Sequence, residues 1–322
     1  MPSMAESSPS GPLGSGSLRV TDLSTIPDNP PDDILYHHKV RLVESARLLW
    51  EHREIMYTLA ERDFRAQYKQ ATLGVLWAVL SPVATLLIFV VVFSRVKAFP
   101  TQGIPYALYS FVGILCWSFF ASSVGSGGNS LLVNKALLSK TQFPRECFPL
   151  ETMLVNALNT VLSWIPLVIL FVIFGRAPAV ATLWVPLFMV IEVAFAAGIT
   201  LAISSLIIQM RDLVQVLPIL ISLGIFLTPV IWPFSYVPSH FHVFGGHLVH
   251  GHWVGGFYLN LQVVYGFFNP LGPVIANVRT TMLLGHNPSW GPLAAAVVGC
   301  IGYLALGFRI FKRLEVNFAD IA

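Results

Sequence analysis

Charge is what this sequence has least of. Of its 322 residues, 11% are Asp, Glu, Lys or Arg, while 55% are hydrophobic, and the mean hydropathy is +0.70. Soluble domains carry about a quarter charged residues, and so few polar groups cannot cover a water-facing surface. From Leu213 to Val278 no charged side chain occurs at all. Catalytic signatures are missing too. There is no GxxxxGK[ST] phosphate loop, no GxSxG and no HExxH, so neither ATP binding by that device nor those hydrolytic chemistries is available. The three cysteines, Cys116, Cys147 and Cys300, fall in expected spans or on the cytoplasmic side, which implies no disulfide framework. Residues 1–35 lack an apolar core, which excludes a cleavable signal peptide there.

What is present is a series of long uncharged runs. Crossing the hydrocarbon layer as a helix takes about 20 apolar residues, and helices satisfy their own backbone groups in lipid. The runs predict six spans, at 73–95, 106–130, 152–174, 182–208, 214–233 and 290–310. Lys39, Arg41, Arg47, Arg53, Arg62, Arg65 and Lys69 precede the first span. Lys135, Lys140 and Arg145 follow the second, Arg211 the fourth, and Lys312 and Arg313 the last. The other side holds only Arg95, Lys97, Arg176 and Arg279. The positive-inside rule therefore puts both termini in the cytoplasm. The net charge of +3 reflects this topology and does not point to nucleic acid.

Residues 1–35, rich in Ser, Gly, Pro and Asp, read as a disordered cytoplasmic tail. In 36–70, Leu42, Ala46, Leu49, Met56, Ala60 and Phe64 recur at three-, four- and seven-residue steps, an apolar helical stripe. Charged residues take the other faces. Trp50, Tyr57 and Tyr68 suit headgroup depth, so the segment reads as an amphipathic helix at the membrane surface, or as one packed on a partner. The domain 71–315 contains a cytoplasmic loop at 133–150, where Pro144 and Pro149 break a long helix and 134–142 suits a short one. It also contains an outer region at 234–289. There, "TPVIWPFSYVPS" ends the fifth span and "FFNPLGPVIANVRTTMLLG" predicts a short apolar helix, consistent with short half-inserted helices. Residues 316–322 form a cytoplasmic tail. The fold class is an all-α membrane protein.

Two features carry their own hypotheses. Glu192 is the one acid well inside a span, and such residues are either functional or bonded to a neighbouring helix. "HFHVFGGHLVHGHW" gathers His240, His242, His247, His250 and His252, spacings open to zinc or copper. With no Cys or carboxylate nearby and a Gly-rich, irregular character, it reads as an outer insert without a metal.

Several ordered stretches resemble a known family. "RDFRAQYKQATLGVLWAVLSP", "NKALLSKTQFPRECFPLE", "MRDLVQVLP", "TPVIWPFSYVP" and "NPLGPVI" together are similar to the permease subunits of type 2 ABC exporters. The resemblance lies with the branch exporting polysaccharides and polyol phosphates and covers about residues 45–315. The His-bearing insert 240–262 is longer than the family pattern. The resemblance implies a homodimer that binds two copies of a separate ATPase subunit. ATP and Mg belong to that subunit, and this chain binds no cofactor. It assigns the coupling contact with the ATPase to Lys140, Phe143, Pro144, Arg145 and Glu146. It implies a lipid-linked glycan substrate whose pyrophosphate would meet Arg62, Arg65 and Lys69 among the membrane lipids; ordinary positive-inside anchoring is the other reading of these residues. A sugar path along spans one and five would use Trp77, Phe89, Phe93, Phe226 and Trp232 as stacking faces. The alternatives are export of a small hydrophobic drug on the same fold, a polyprenyl-phosphate-sugar transferase, and a proton-coupled carrier working through Glu192.

Overall fold

A computed structural model of the chain describes residues 42–69, 72–93, 101–138, 144–245, 247–249, 252–254 and 257–315. The N-terminal part of the described chain is two helices, α1 (Leu42–Glu51) and α2 (Arg53–Tyr68). The expected single amphipathic helix is interrupted at His52, whose backbone leaves the helical region. The stripe itself is right for α2: Ala60 is buried and Met56 and Phe64 are half-buried, while Trp50 and Tyr57 stay exposed. α2 packs on a later helix of its own chain, Cys147–Ile173.

Then come α3 (Leu76–Phe93), α4 (Tyr106–Val133), the single turn α5 (Lys135–Leu138), α6 (Cys147–Ile173), α7 (Val185–Gln209) and α8 (Leu213–Leu227). The last part comprises α9 (Leu261–Phe268), α10 (Leu271–Arg279) and α11 (Trp290–Glu315). Among the described residues, five helical stretches are long and apolar enough to cross a membrane, namely α3, α4, α6, Val180–Gln209 and α11. The fifth expected span is shorter than its apolar run. Its helix stops at Leu227, with Thr228 extended, and its 15 residues reach roughly 22 Å of the ~30 Å hydrocarbon core. Pro229 and Pro233 follow, and Val230 and Ile231 between them are buried although not helical.

Other boundaries shift for identifiable reasons. Pro149 does not break α6 but sits in its first turn, where the missing N–H would have had no partner anyway. α11 runs past the expected end at 310, through Lys312 and Arg313 to Glu315; cations favour a helix C-terminus. The His-bearing insert is not irregular and the fold is not wholly helical. β1 (Phe241–Phe244) pairs with β4 (Phe257–Leu259), and β2 (His247–Val249) pairs with β3 (His252–Val254), both antiparallel.

α4 and α7 form the centre of the helical packing, flanked by α6 and α11. α7 and α11 approach at backbone distance through Gly198 and Gly307. A Cβ on Gly198 would lie 2.7 Å from the Tyr303 carbonyl, and one on Gly307 would overlap the Gly198 carbonyl. Small residues permit this approach in apolar surroundings. Pro82 within α3 cannot bond the carbonyl of Ala78 four residues back. Ser163 of α6 lies 2.8 Å from that carbonyl and donates to it, shared with its own-helix Asn159 carbonyl at 2.9 Å. One such bond contributes about 0.5–1.5 kcal/mol and fixes α3 against α6 at its bend.

The helix ends gather in two groups. At one end, Arg145 Nη1 donates to the Glu315 carbonyl at 2.7 Å, and Lys312 pairs with Glu146 and, at 2.9 Å, with Glu315. At the other, Arg176 donates to the Gly103 carbonyl at 2.8 Å and Trp184 meets Trp290 edge-on.

A polar groove between helices: candidate transport site

Sequence inspection of α6 in isolation shows Asn156, Asn159, Thr160 and Ser163 at steps of three, one and three. That spacing places one polar stripe along a helix whose other polar residues, Glu151 and Thr152, lie near its start. Ser81 and Thr85 on α3 and Ser118 and Ser122 on α4 are each four apart and share a face likewise. The fold brings these stripes together. They line a groove of about 710 Å³ bounded by the end of α2, α3, α4, α6 and α8, with Trp77, Trp117 and Ser222 also on its walls. A second crevice, about 560 Å³, is walled almost wholly by apolar side chains such as Trp164, Val185 and Met189.

The mouth of the polar groove is tied to α2. Tyr68 Oη donates to Asn159 Oδ1 at 2.7 Å, and Asn159 Nδ2 donates to Gln67 Oε1 at 3.2 Å. Deeper in, Asn156 Nδ2 donates to Ser126 Oγ at 2.9 Å. Partial burial pushes the Tyr68 phenol pKa up. One amide on α6 therefore reads the position of α2 directly.

α3 and α8, which flank the groove, are the least covered of the apolar helices. Leu87, Ile88, Val91 and Val92 on α3 and Ile219, Leu220 and Leu223 on α8 are all exposed. An apolar face of this extent has to be met by lipid or by another protein surface.

The sequence-expected residues fall in different places. Trp77 lines the groove and is 54% exposed. Phe89 and Phe93 meet edge-on and pack towards Tyr106, within the chain. Phe226 is exposed on α8, while the Trp232 indole donates to the Phe226 carbonyl at 3.0 Å and packs against Tyr265. Arg62 and Arg65 are exposed on α2 and paired with Asp63 at 2.6 Å and Glu61 at 2.5 Å. The bond to Asp63 raises the Arg62 pKa against partial burial. Lys69 is exposed at the end of α2. In the loop at 133–150, Lys140 and Phe143 lie outside the described residues. Pro144 and Arg145 are half-buried, and Glu146 is buried beneath Lys312. Glu192 is buried between α7 and α4, its carboxyl facing the Cys116 thiol, and it does not line the groove. His242 packs on the Tyr258 ring and His240 lies beside Ser239; the side chains of His247, His250 and His252 lie outside the described residues.

Arg279, counted from the sequence only towards the charge balance of the outer side, is a buried structural residue. It is 3% exposed, with its guanidinium 4.0 Å above the Tyr109 ring. It donates to the carbonyls of Tyr109 at 2.9 Å, Pro229 at 2.7 Å and Val230 at 2.5 Å. The non-helical end of the fifth apolar run is thereby held to α4 and α10. The signal available in the sequence was a lone Arg at the end of a long uncharged stretch; the proline-rich turn whose carbonyls it serves lies some 50 residues earlier.

Comparison with known proteins bears on the whole of this architecture. An O-antigen export system permease protein RfbA from Myxococcus xanthus is 30% identical over 280 residues, covering 87% of this chain and 99% of its own. Two proteins of the same name from Klebsiella pneumoniae are 25% and 26% identical, each over 83% of this chain and 95% of their own. The signature of ABC-2 type transporters matches residues 55–253, from α2 to the tip of the β-ribbon. A chain with these apolar helices, no phosphate loop and that match over most of its folded length belongs to the ABC-2 type transporter family.

Proposed function

We propose that this chain is the membrane subunit of an ATP-driven exporter of lipid-linked polysaccharide, built as a homodimer with two copies of a separate ATP-binding subunit. The observation that carries this reading is the uncharged polar groove running between two apolar helices whose outer faces are uncovered. A second copy meeting the first along α3 and α8 would close two such grooves into one wide path. The similar proteins named as O-antigen export permeases point to the same cargo.

In this reading the chain crosses the membrane six times, with the buried segment 228–233 completing the span that α8 begins. α9 and α10 enter from the outer side and return, and both termini are cytoplasmic. The grouping of helix ends fits: the 144–146 segment and the end of α11 meet at one end, while the 101–105 and 176–184 segments lie at the other. The loop at 133–150 docks on the ATP-binding subunit through Lys140, Phe143, Pro144 and Arg145. Glu146 keeps that loop fastened to α11. MgATP is held and hydrolysed by the partner. Arg62, Arg65 and Lys69 face the headgroup layer, where cations attract the pyrophosphate of a lipid carrier, and Trp77 offers a stacking face at the groove mouth.

Depleting the chain should make lipid-linked glycan accumulate on the cytoplasmic side, and the ATP-binding subunit should co-purify with it. Glycan export by vesicles containing this chain as their sole protein would overturn the reading. So would depletion that leaves every lipid-linked glycan pool unchanged.

A further inference from the structure

The walls of the polar groove have a hydrogen-bond polarity that its composition alone does not reveal. A hydroxyl has one hydrogen to donate and two lone pairs to offer. Thr85 donates to the Ser81 carbonyl at 3.2 Å, Ser122 to that of Ser118 at 2.7 Å, and Thr160 to that of Asn156 at 2.8 Å. Ser222 donates to the Pro218 carbonyl at 2.8 Å and Ser163 to that of Ala78 at 2.8 Å. The Tyr68 phenol donates to Asn159, as described. Six of the eight hydroxyls lining the groove thus commit their hydrogen within the protein and offer lone pairs, while Ser81, Ser118 and the indole N–H groups of Trp77 and Trp117 supply neutral donors. One amide hydrogen of Asn156 and one of Asn159 are also directed at protein oxygens. The wall is an uncharged hydrogen-bonding surface rich in acceptors.

Charge sharpens the point. None of the described residues lining the groove is Asp, Glu, Lys, Arg or His; α3, α4 and α8 carry no charged residue along their lengths, and Glu151 of α6 and the charged residues of α2 lie outside the lining. An anion entering would lose water without gaining a cation, and would meet only neutral donors. A sugar ring presents the complementary chemistry: hydroxyl donors at its edge for the lone pairs and a C–H face for Trp77. We infer that the path admits uncharged glycan and discriminates against polymers carrying phosphodiesters or other anions along their backbone. The selectivity comes from an acceptor-rich groove without cations. This rests on the exporter reading above and narrows its cargo.

The test uses inverted membrane vesicles containing this chain with its ATP-binding partner. Two probes are compared: a polyprenyl-diphosphate-linked neutral glycan, and the same glycan bearing glycerol phosphate on each repeat. The carrier's diphosphate is common to both, so only backbone charge differs. ATP-dependent uptake of the neutral probe should exceed that of the phosphorylated one by at least about tenfold, the rate equivalent of one lost charge-assisted contact. Ser222→Lys should narrow that ratio, and Ser222→Thr should leave it in place. Equal uptake of both probes by the wild type would overturn the inference while sparing the exporter reading. Uptake of neither, with the complex intact and hydrolysing ATP, would overturn both. A ratio unchanged in a stably folded Ser222→Lys complex would remove the groove as its source.

Discussion

Replacing Arg279 by Leu measures how much of the outer half of this protein depends on one guanidinium. The side chain bonds three carbonyls, but they are not equally dependent on it. The Tyr109 carbonyl lies within α4 and keeps its intrahelical partner. Pro229 and Val230 lie beyond the end of α8, in a buried stretch with no helix to serve them. Arg279→Leu thus leaves two buried carbonyls short of a donor, at about 1–3 kcal/mol each, so about 2–6 kcal/mol in all. At roughly 2 °C per kcal/mol for a chain of this size, the melting temperature in detergent should fall by about 4–12 °C. Arg279→Lys should recover only part of this, because one ammonium cannot reproduce a planar fork. Gly113→Ala attacks the same joint from the other side, since a Cβ there would overlap Arg279 Nη2 and lie 2.8 Å from the Val230 carbonyl. The measurement is thermal unfolding of the purified protein followed by size-exclusion fluorescence. If Arg279→Leu melts within about 2 °C of the wild type, these carbonyls do not depend on the guanidinium and the reasoning fails.

Other expectations follow from the same contacts. Gly307→Val should force α7 and α11 apart, costing at least the ~1–3 kcal/mol of an overpacked core; a wild-type melting temperature would refute the close approach. Lys312→Met strands the buried Glu146 carboxylate at about 3–5 kcal/mol, and adding Glu146→Gln should restore much of it. A double variant no more stable than the single one would show that the pair is not coupled. Asn159→Leu cuts the bonds from α6 to Gln67 and Tyr68, so amide hydrogen exchange near the end of α2 should accelerate; unchanged protection there would deny Asn159 that role. Glu192→Gln should leave export intact, because the carboxyl is packed away from the groove. Abolished export with ATP hydrolysis retained would instead favour a proton-coupled route.

Much of this architecture is written locally. Uncharged runs bounded by Lys and Arg mark the apolar helices because burial in lipid is a property of each segment by itself, settled by length and composition. The polar stripe at Asn156, Asn159, Thr160 and Ser163 is local too, a matter of helical period, although its meaning is not. What those residues face depends on α3, α4 and α8 arriving from distant parts of the chain. The polarity of their hydroxyls depends on which carbonyl each one reaches. The role of Arg279 was illegible for the same reason: a lone charge says nothing of its partners until the carbonyls of Pro229 and Val230, some 50 residues earlier, are seen beside it. Glu146 looked like a docking residue until Lys312 was found above it. The β-ribbon escaped because a Gly-broken run of His and aromatics carries no clear two-residue alternation, and only cross-strand pairing of 241–244 with 257–259 makes it a strand. Segment-wise solvation determined which parts enter the membrane; long-range hydrogen bonding and close packing decided which side chains meet there, and only the latter makes a path.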